Sequence, residues 1–359
     1  MIKEFRSLNG KIYPLPIFFP DATQAVVRTL DSLDVANTKT PGVLVNTYHL
    51  YRELGKELIN KFGGIGKFMN WNGAVISDSG GFQVMSLIKS KSGNGKISDL
   101  GITFYPSKKK KVLLTPEKSI EFQIKLKTDL MVVLDDFTHP SATFDEAKES
   151  VERTIKWAKR CRLTYDKYFE FGKGPYLIGV VQGGKYQDLR MRCTEELVKI
   201  GFDGLGYGGW PIEETGEFDY KSAQTIADNT PKDYLLYGLG VGKPNEIVNL
   251  YKMGFQIYDC VLPTRDARHE RLYIYESASI EDVNLSSEKF YKYYVPSKQK
   301  NYLLNEPVST ACDCLLCKSY SKAYIAHLFR IDDISAMRLA TIHNLRFYSI
   351  LMEKLRDTK

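Results

Sequence analysis

Short apolar runs recur along the first two thirds of the chain, and longer segments of helical character lie between most of them. The runs fall at residues 15–19, 43–46, 74–77, 130–135, 176–182, 204–208, 235–240 and 257–262. This alternation constrains the fold more than any other feature. Consecutive parallel strands need a crossover of a dozen or more residues, which is usually a helix. Eight such units predict an α/β fold, a (β/α)8 TIM barrel, with a doubly wound open sheet as the alternative. The strand ends favour the barrel. Asn46, Asp78, Asp135, Gln182, Gly208 and Gly240 close their runs with polar or glycine residues. In a barrel those ends converge on one mouth, where active sites are built.

The intervening segments carry helix signals. Thr115-Pro116-Glu117 reads as an N-cap followed by proline in the first turn, opening a helix over 115–127. Residues 141–168 read as one long charged helix with an apolar stripe. Gly201 and Gly254 stand where C-caps would end helices over 186–200 and 245–253. Residues 86–112 break the alternation and include the run Lys108 to Lys111, either a solvated loop or a phosphate-facing one. Two helices, about 319–330 and 333–357, finish the chain. The expected division is a catalytic barrel over 1–275 and a smaller subdomain over 276–359 that packs on it.

That subdomain contains Cys312, Cys314 and Cys317, with His343 a further 26 positions on. Three closely spaced thiols and an imidazole supply the four ligands of a closed tetrahedral zinc site. With no position left for water, the zinc would be structural. His327 is an alternative fourth ligand. Cys161, Cys193 and Cys260 stand apart and read as small buried thiols.

A carboxylate inside an apolar run is expensive to desolvate, so Asp259 points to chemistry. Arg265 and Arg268 follow it and suit a ligand with phosphate or acidic edges. Asp78 ends the third run and precedes Gly80-Gly81-Phe82, where bare backbone and a ring could approach a planar ligand. Asp78 and Asp259, on strands expected at opposite sides of the barrel, match the paired-acid logic of glycosyl transfer. Asp135 and Gln182 could bond the edge of a purine-like heterocycle, and Gly208-Gly209 would add bare amides and carbonyls. The formal net charge of +7 fits a phosphate-bearing partner without requiring one. No apolar run approaches the roughly 20 residues of a membrane span, and residues 1–16 lack a continuous apolar segment, so a cytoplasmic protein is expected.

The segments SDSGGFQVMSL, VVQGGKYQDLR, GVGKP, YDCVLPTRDAR and CDCLLC followed by a histidine resemble, in order and spacing, those of the tRNA-guanine transglycosylases. NTYHL at 46–50 and LTPEKSIEFQ extend the likeness over nearly the whole chain. The resemblance implies a (β/α)8 barrel with a zinc subdomain and a double displacement at the wobble guanosine of the tRNA anticodon loop. Asp259 would be the nucleophile and Asp78 the general acid/base. Phe82, Asp135, Gln182, Gly183, Gly209 and Leu239 would hold the base, and Asn46 would join the aspartate network. Arg265 and Arg268 would hold neighbouring bases. The resemblance also implies a homodimer and no nucleotide cofactor. A related enzyme acting on DNA and a non-catalytic accessory subunit are the alternatives.

Some residues depart from the family pattern. Phe137 follows Asp135-Asp136 where bacterial members have cysteine, Leu239 replaces a methionine, and Trp210 to Glu214 replaces Leu-Ala-Val-Gly-Glu. These positions surround the pocket for the incoming deazaguanine. Bulky Ile212 favours a small base, 7-aminomethyl-7-deazaguanine, over queuine.

Overall fold

The computed structural model describes residues 2–90, 95–107, 110–170, 172–213, 215–287 and 289–357. Eight parallel strands form one sheet: β1 (Ile17–Pro20), β2 (Gly42–Asn46), β3 (Ala74–Asp78), β4 (Leu130–Val132), β5 (Tyr176–Val181), β6 (Gly204–Tyr207), β7 (Leu235–Gly238) and β8 (Ile257–Cys260). Their order is β1-β8-β7-β6-β5-β4-β3-β2. A parallel bridge between Asp21 and Leu44, with Ala22 N–H donating to the Leu44 carbonyl at 2.7 Å, joins β1 to β2. The ring is thus nearly closed, and the open-sheet alternative falls away. The strands are buried along most of their length, as near-continuous apolar runs require when helices cover a parallel sheet.

Local signals place the helices. Thr115 caps Pro116–Leu126 by accepting from Lys118 N–H, and proline occupies the first turn. Thr143 and Glu146 form a reciprocal capping box that starts Phe144–Tyr165. Its start is therefore three residues later than the apolar stripe predicts. Gly201 and Gly254 end Gln187–Ile200 and Pro244–Met253 as expected.

Residues 86–112 resolve into the end of helix Gly81–Ser90 and a three-stranded antiparallel sheet, Gly95–Ser98, Gly101–Ser107 and Lys110–Leu114. Lys108 and Lys109 of the lysine run, like Glu214, lie outside the described residues. Several expected strands are shorter than read, and two of the shortfalls bear on the site. The fourth leaves the ladder after Val132, so Asp135 stands on the connection beyond it. The eighth ends at Cys260, and Pro263-Thr264 belongs to helix Leu262–Arg268. Proline is tolerated there because first-turn N–H groups have no helical partner.

An N-terminal hairpin of Glu4–Arg6 and Ile12–Pro14 puts Phe5 edge-on to Phe19, with ring centres 6.3 Å apart. The last helix, Ile334–Asp357, lies along β1: Tyr348 packs on Phe18 at 4.4 Å and donates to the Gly242 carbonyl at 2.5 Å. Among the described residues, no helix is long and apolar enough to cross a membrane.

Candidate active site

Asp78 ends β3 with four donors around it. Asn46 Nδ2 reaches Oδ2 at 2.8 Å and Gln83 Nε2 reaches it at 3.3 Å. Gly80 N–H reaches Oδ1 at 2.9 Å and Thr47 N–H reaches it at 3.4 Å. Asn46 and Asp78 are register partners on β2 and β3, which brings the carboxamide beside the carboxylate. Gly80 has φ +76, and a Cβ there would come within 2.7 Å of Tyr48 N. Only glycine fits that turn, and the turn aims its amide at Asp78. Burial nonetheless pushes the Asp78 carboxyl up to about 7. The Gly80, Asn46 and Thr47 donors oppose that rise, and the negative charge of Asp259 adds to it.

Asp259 is held from one side. The Tyr237 hydroxyl donates to its Oδ1 at 2.7 Å, and Gly240 N–H donates to the same oxygen at 2.9 Å. Both donors come from β7 and its exit, the strand beside β8. Among the described residues, no hydrogen bond falls on Oδ2. Burial raises this carboxyl to about 6, the two donors pull it down, and Asp21 pushes it up. Counted round the ring, β8 and β3 are separated by β1 and β2, so the two carboxylates are not diametrically opposite as expected. They face one mouth with an arc of two strands between them.

The third carboxylate, Asp135, accepts from Gln182 Nε2 at 2.6 Å, while Gln182 Oε1 accepts from Thr138 N–H at 3.1 Å. That fixes which way the fully buried carboxamide points. Burial raises Asp135 to about 7. Its neighbour Asp136 faces elsewhere and pairs with Arg153, so the two aspartates have separate roles. Gly183 has φ +144, and a Cβ would lie 2.8 Å from Arg190 N; Gly209 has φ +91. Phe82 is 46% exposed at the start of its helix and meets Phe137 edge-on at 5.0 Å. Leu239 is half-buried over β6, where a Cβ on Gly206 would come within 2.8 Å of it. Ile212 pairs with Phe218 in a single antiparallel bridge.

Arg265 and Arg268 sit three residues apart on helix Leu262–Arg268. Arg265 is exposed, and Arg268 is half-buried with its guanidinium on the Thr264 carbonyl at 2.8 Å. Burial and the charge of Arg28 lower the Arg268 pKa, so three arginines share this rim.

Away from the mouth, ligand atoms of Cys312, Cys314, Cys317 and His343 lie within 4.8 Å of one another. His343 Nδ1 is 3.5 Å from Cys314 Sγ and 3.3 Å from Cys317 Sγ. Its Nε2 lies 2.8 Å from the Tyr273 carbonyl, which sets the proton on Nε2 and leaves Nδ1 to ligate. The group could hold a metal ion. His327 is exposed on helix Lys322–Arg330 and is outside the group, which excludes it as the fourth ligand.

Several supporting residues were not evident in the sequence. Tyr237 sits in an apolar strand and gives no polar signal there. The buried Arg190 guanidinium binds the Val181, Gly184 and Gly208 carbonyls at 2.6–2.9 Å and so ties the exits of β5 and β6 together. Asp21 did carry a signal, since it directly follows β1, whereas Gln83 stands in the first turn of the helix after β3.

A nearly closed parallel barrel with ionisable side chains gathered at its carboxyl end defines an α/β-barrel enzyme, here with a Cys3His module. Comparison with known proteins narrows the class. The family model for queuine tRNA-ribosyltransferase matches residues 5–358. A queuine tRNA-ribosyltransferase of Psychrobacter cryohalolentis is 38% identical over 98% of this chain and 87% of its own. Those of Actinobacillus pleuropneumoniae and Pasteurella multocida are 38% and 37% identical, each over 95% of this chain and 84% and 83% of theirs. The chain belongs to the queuine tRNA-ribosyltransferase family, and it is a pentosyltransferase.

Proposed function

We propose that this enzyme exchanges guanine at the tRNA wobble position for a 7-deazaguanine, in queuosine biosynthesis. The observation that carries the reading is the pair of carboxylates at one mouth, Asp78 ringed by donors on both oxygens and Asp259 held by Tyr237 and Gly240 on one oxygen only. Burial raises both toward neutrality, Asp78 to about 7 and Asp259 to about 6, the range in which acid/base work at a glycosidic bond is done.

In the first displacement an Asp259 oxygen attacks the ribose C1′. The bond from C1′ to guanine N9 breaks, and Asp78 supplies the proton that the departing base needs. In the second, Asp78 takes the N9 proton of the incoming deazaguanine. That nitrogen attacks C1′, the ribosyl ester bond breaks, and Asp259 is free again. One glycosidic bond replaces another, so no net energy source is needed. Asp135, Gln182 and the backbone at Gly183 and Gly209 hold the base edge, Phe82 covers its face and Leu239 lies under it. Arg265 and Arg268 hold the anticodon loop around the reacting nucleotide. The half-buried Ile212 supports 7-aminomethyl-7-deazaguanine over the larger queuine.

The Cys3His group fits zinc, because three thiolates and an imidazole oriented by a backbone carbonyl make a closed structural set. Residues 276–359 are read as the subdomain built around it, and the enzyme as a cytoplasmic homodimer.

Labelled-guanine exchange into a tRNA with a wobble guanosine, challenged with each deazaguanine, tests the reading. Wild type should incorporate label and form a denaturation-resistant adduct with the RNA, and Asp259→Asn should do neither. Adduct at the wild-type level in that variant would remove the nucleophile assignment.

A further inference from the structure

Asp21 lies on the arc between the two reacting carboxylates, and nothing in the double displacement uses it. Asp259 is the register partner of Phe19, and strand side chains repeat their facing every second residue. Asp21, two residues beyond Phe19, therefore projects to the same side as Asp259, about 7 Å nearer the mouth. It also forms the bridge to Leu44 through which β1 meets β2, and β2 leads to Asn46 and to helix Thr47–Glu53. Asp21 thus stands beside Asp259 on the way round to Asp78.

Its hydrogen bonds leave one oxygen free. Thr23 donates to Oδ1 from its hydroxyl and from its N–H, the latter at 3.0 Å. Among the described residues, no hydrogen bond or ion pair falls on Oδ2. Arg268 and Asp259 both sense the charge of Asp21 without pairing with it. A second group in the same place also lacks a partner. His49 Nδ1 is buried with no hydrogen bond, on the helix that follows β2, and its ring too senses Asp21. A carboxylate oxygen and an imidazole nitrogen left open beside a nucleophile for C1′ suit a ligand that brings its own hydroxyls.

We propose that Asp21 Oδ2 accepts a hydrogen bond from the ribose 2′-hydroxyl of the reacting nucleotide, so that Asp21 makes the enzyme selective for RNA over DNA. The inference rests on the transglycosylase reading. The 2′-oxygen is attached to the carbon next to C1′, so a sugar in line with Asp259 presents it to the neighbouring strand exit. Charge develops on the sugar ring in an oxocarbenium-like transition state, and hydrogen bonds to the hydroxyl beside the anomeric carbon strengthen there. A carboxylate acceptor at that point acts on rate as well as on binding.

The test uses two anticodon hairpins, identical except that one carries 2′-deoxyguanosine at the exchanged position. Guanine exchange is measured with wild type, Asp21→Ala and Asp21→Asn, and folding is followed by thermal melting. Wild type should prefer the ribose hairpin by roughly ten- to a hundredfold in kcat/KM, the range of one hydrogen bond to a charged group. Asp21→Ala should collapse that ratio to within about threefold by slowing the ribose hairpin alone, and Asp21→Asn should fall between. If the deoxy hairpin is not turned over, its inhibition constant replaces kcat/KM in the ratio. An unchanged ratio in a folded Asp21→Ala overturns the assignment, as does equal slowing of both hairpins. Absence of exchange by wild type on the ribose hairpin would instead overturn the transglycosylase reading itself.

Discussion

Replacing Asp135 with asparagine should stabilise the protein in alkaline solution and weaken its function. Burial raises this carboxyl to about 7, the single Gln182 donor opposes the rise, and the charge of Asp136 adds to it. In the unfolded chain the same group titrates near 3.9. Between those values the folded state holds a proton that the unfolded state has released. Stability therefore falls as pH rises from about 4 to about 7, and it is flat above that. A gap of about three pH units corresponds to ~4 kcal/mol as an upper bound. Asp135 keeps some solvent contact, which reduces the figure to about 1–3 kcal/mol.

Asparagine keeps the acceptor that Gln182 needs and removes the ionisation. The variant should match wild type near pH 4 and exceed it at pH 8. With about 2.1 cal/mol/K of unfolding entropy per residue, 1–3 kcal/mol raises Tm by roughly 1–4 °C for a chain of this length. Melting curves at pH 4.5 and pH 8 measure the difference, and exchange assays on the same samples measure lost base binding. A Tm difference that is the same at both pH values would refute the reasoning, because the folded Asp135 is neutral at pH 4.5 and charged at pH 8, so a penalty for burying its charge must differ between them.

Two further outcomes follow from the same geometry. Tyr237→Phe removes one of the two donors that favour ionised Asp259, so the acid limb of kcat/KM should move to higher pH and activity should fall more at pH 6 than at pH 8; an unshifted limb would mean that the hydroxyl does not control the nucleophile. Cys314→Ala should lose about one equivalent of zinc per chain and lower Tm by several degrees, read by metal analysis and melting; unchanged metal content would exclude the Cys3His assignment.

The alternation of apolar runs and helices was enough to expose the barrel, because parallel strands buried on both faces leave an unbroken apolar signature. The metal group was legible for a different reason: its ligands are rare residue types, and three of them crowd into six positions. What the sequence concealed lay where function bends local structure. Beyond Val132 the chain still reads as strand, yet it leaves the ladder so that Thr138 N–H can meet Gln182. Pro263 looks like a turn residue, yet it opens the helix that carries both rim arginines. Tyr237 was invisible because a tyrosine in a buried strand is ordinary, and only the register beside β8 gives its hydroxyl a purpose.

The metal group and the rim arginines meet in two adjacent residues. His343 contributes its ring to the cluster and is anchored through Nε2 on the Tyr273 carbonyl. The next residue, Asn344, donates to the Pro263 carbonyl at 2.9 Å and to the Arg271 carbonyl at 3.0 Å, and its Oδ1 accepts from Tyr273 N–H at 3.1 Å. Pro263 opens the helix that bears Arg265 and Arg268, and Arg271 follows it. Asn344 is fully buried, so these bonds are shielded from competing water. A metal held by His343 would thereby fix the frame of the arginine helix, although the cluster lies away from Asp78 and Asp259. Those carboxylates depend on a separate set of supports, the strand exits at Gly80, Tyr237 and Gly240. On the proposed reading the two sets divide the work: the barrel strands would orient the chemistry, and the Cys3His group would orient the arginines that present the RNA to it.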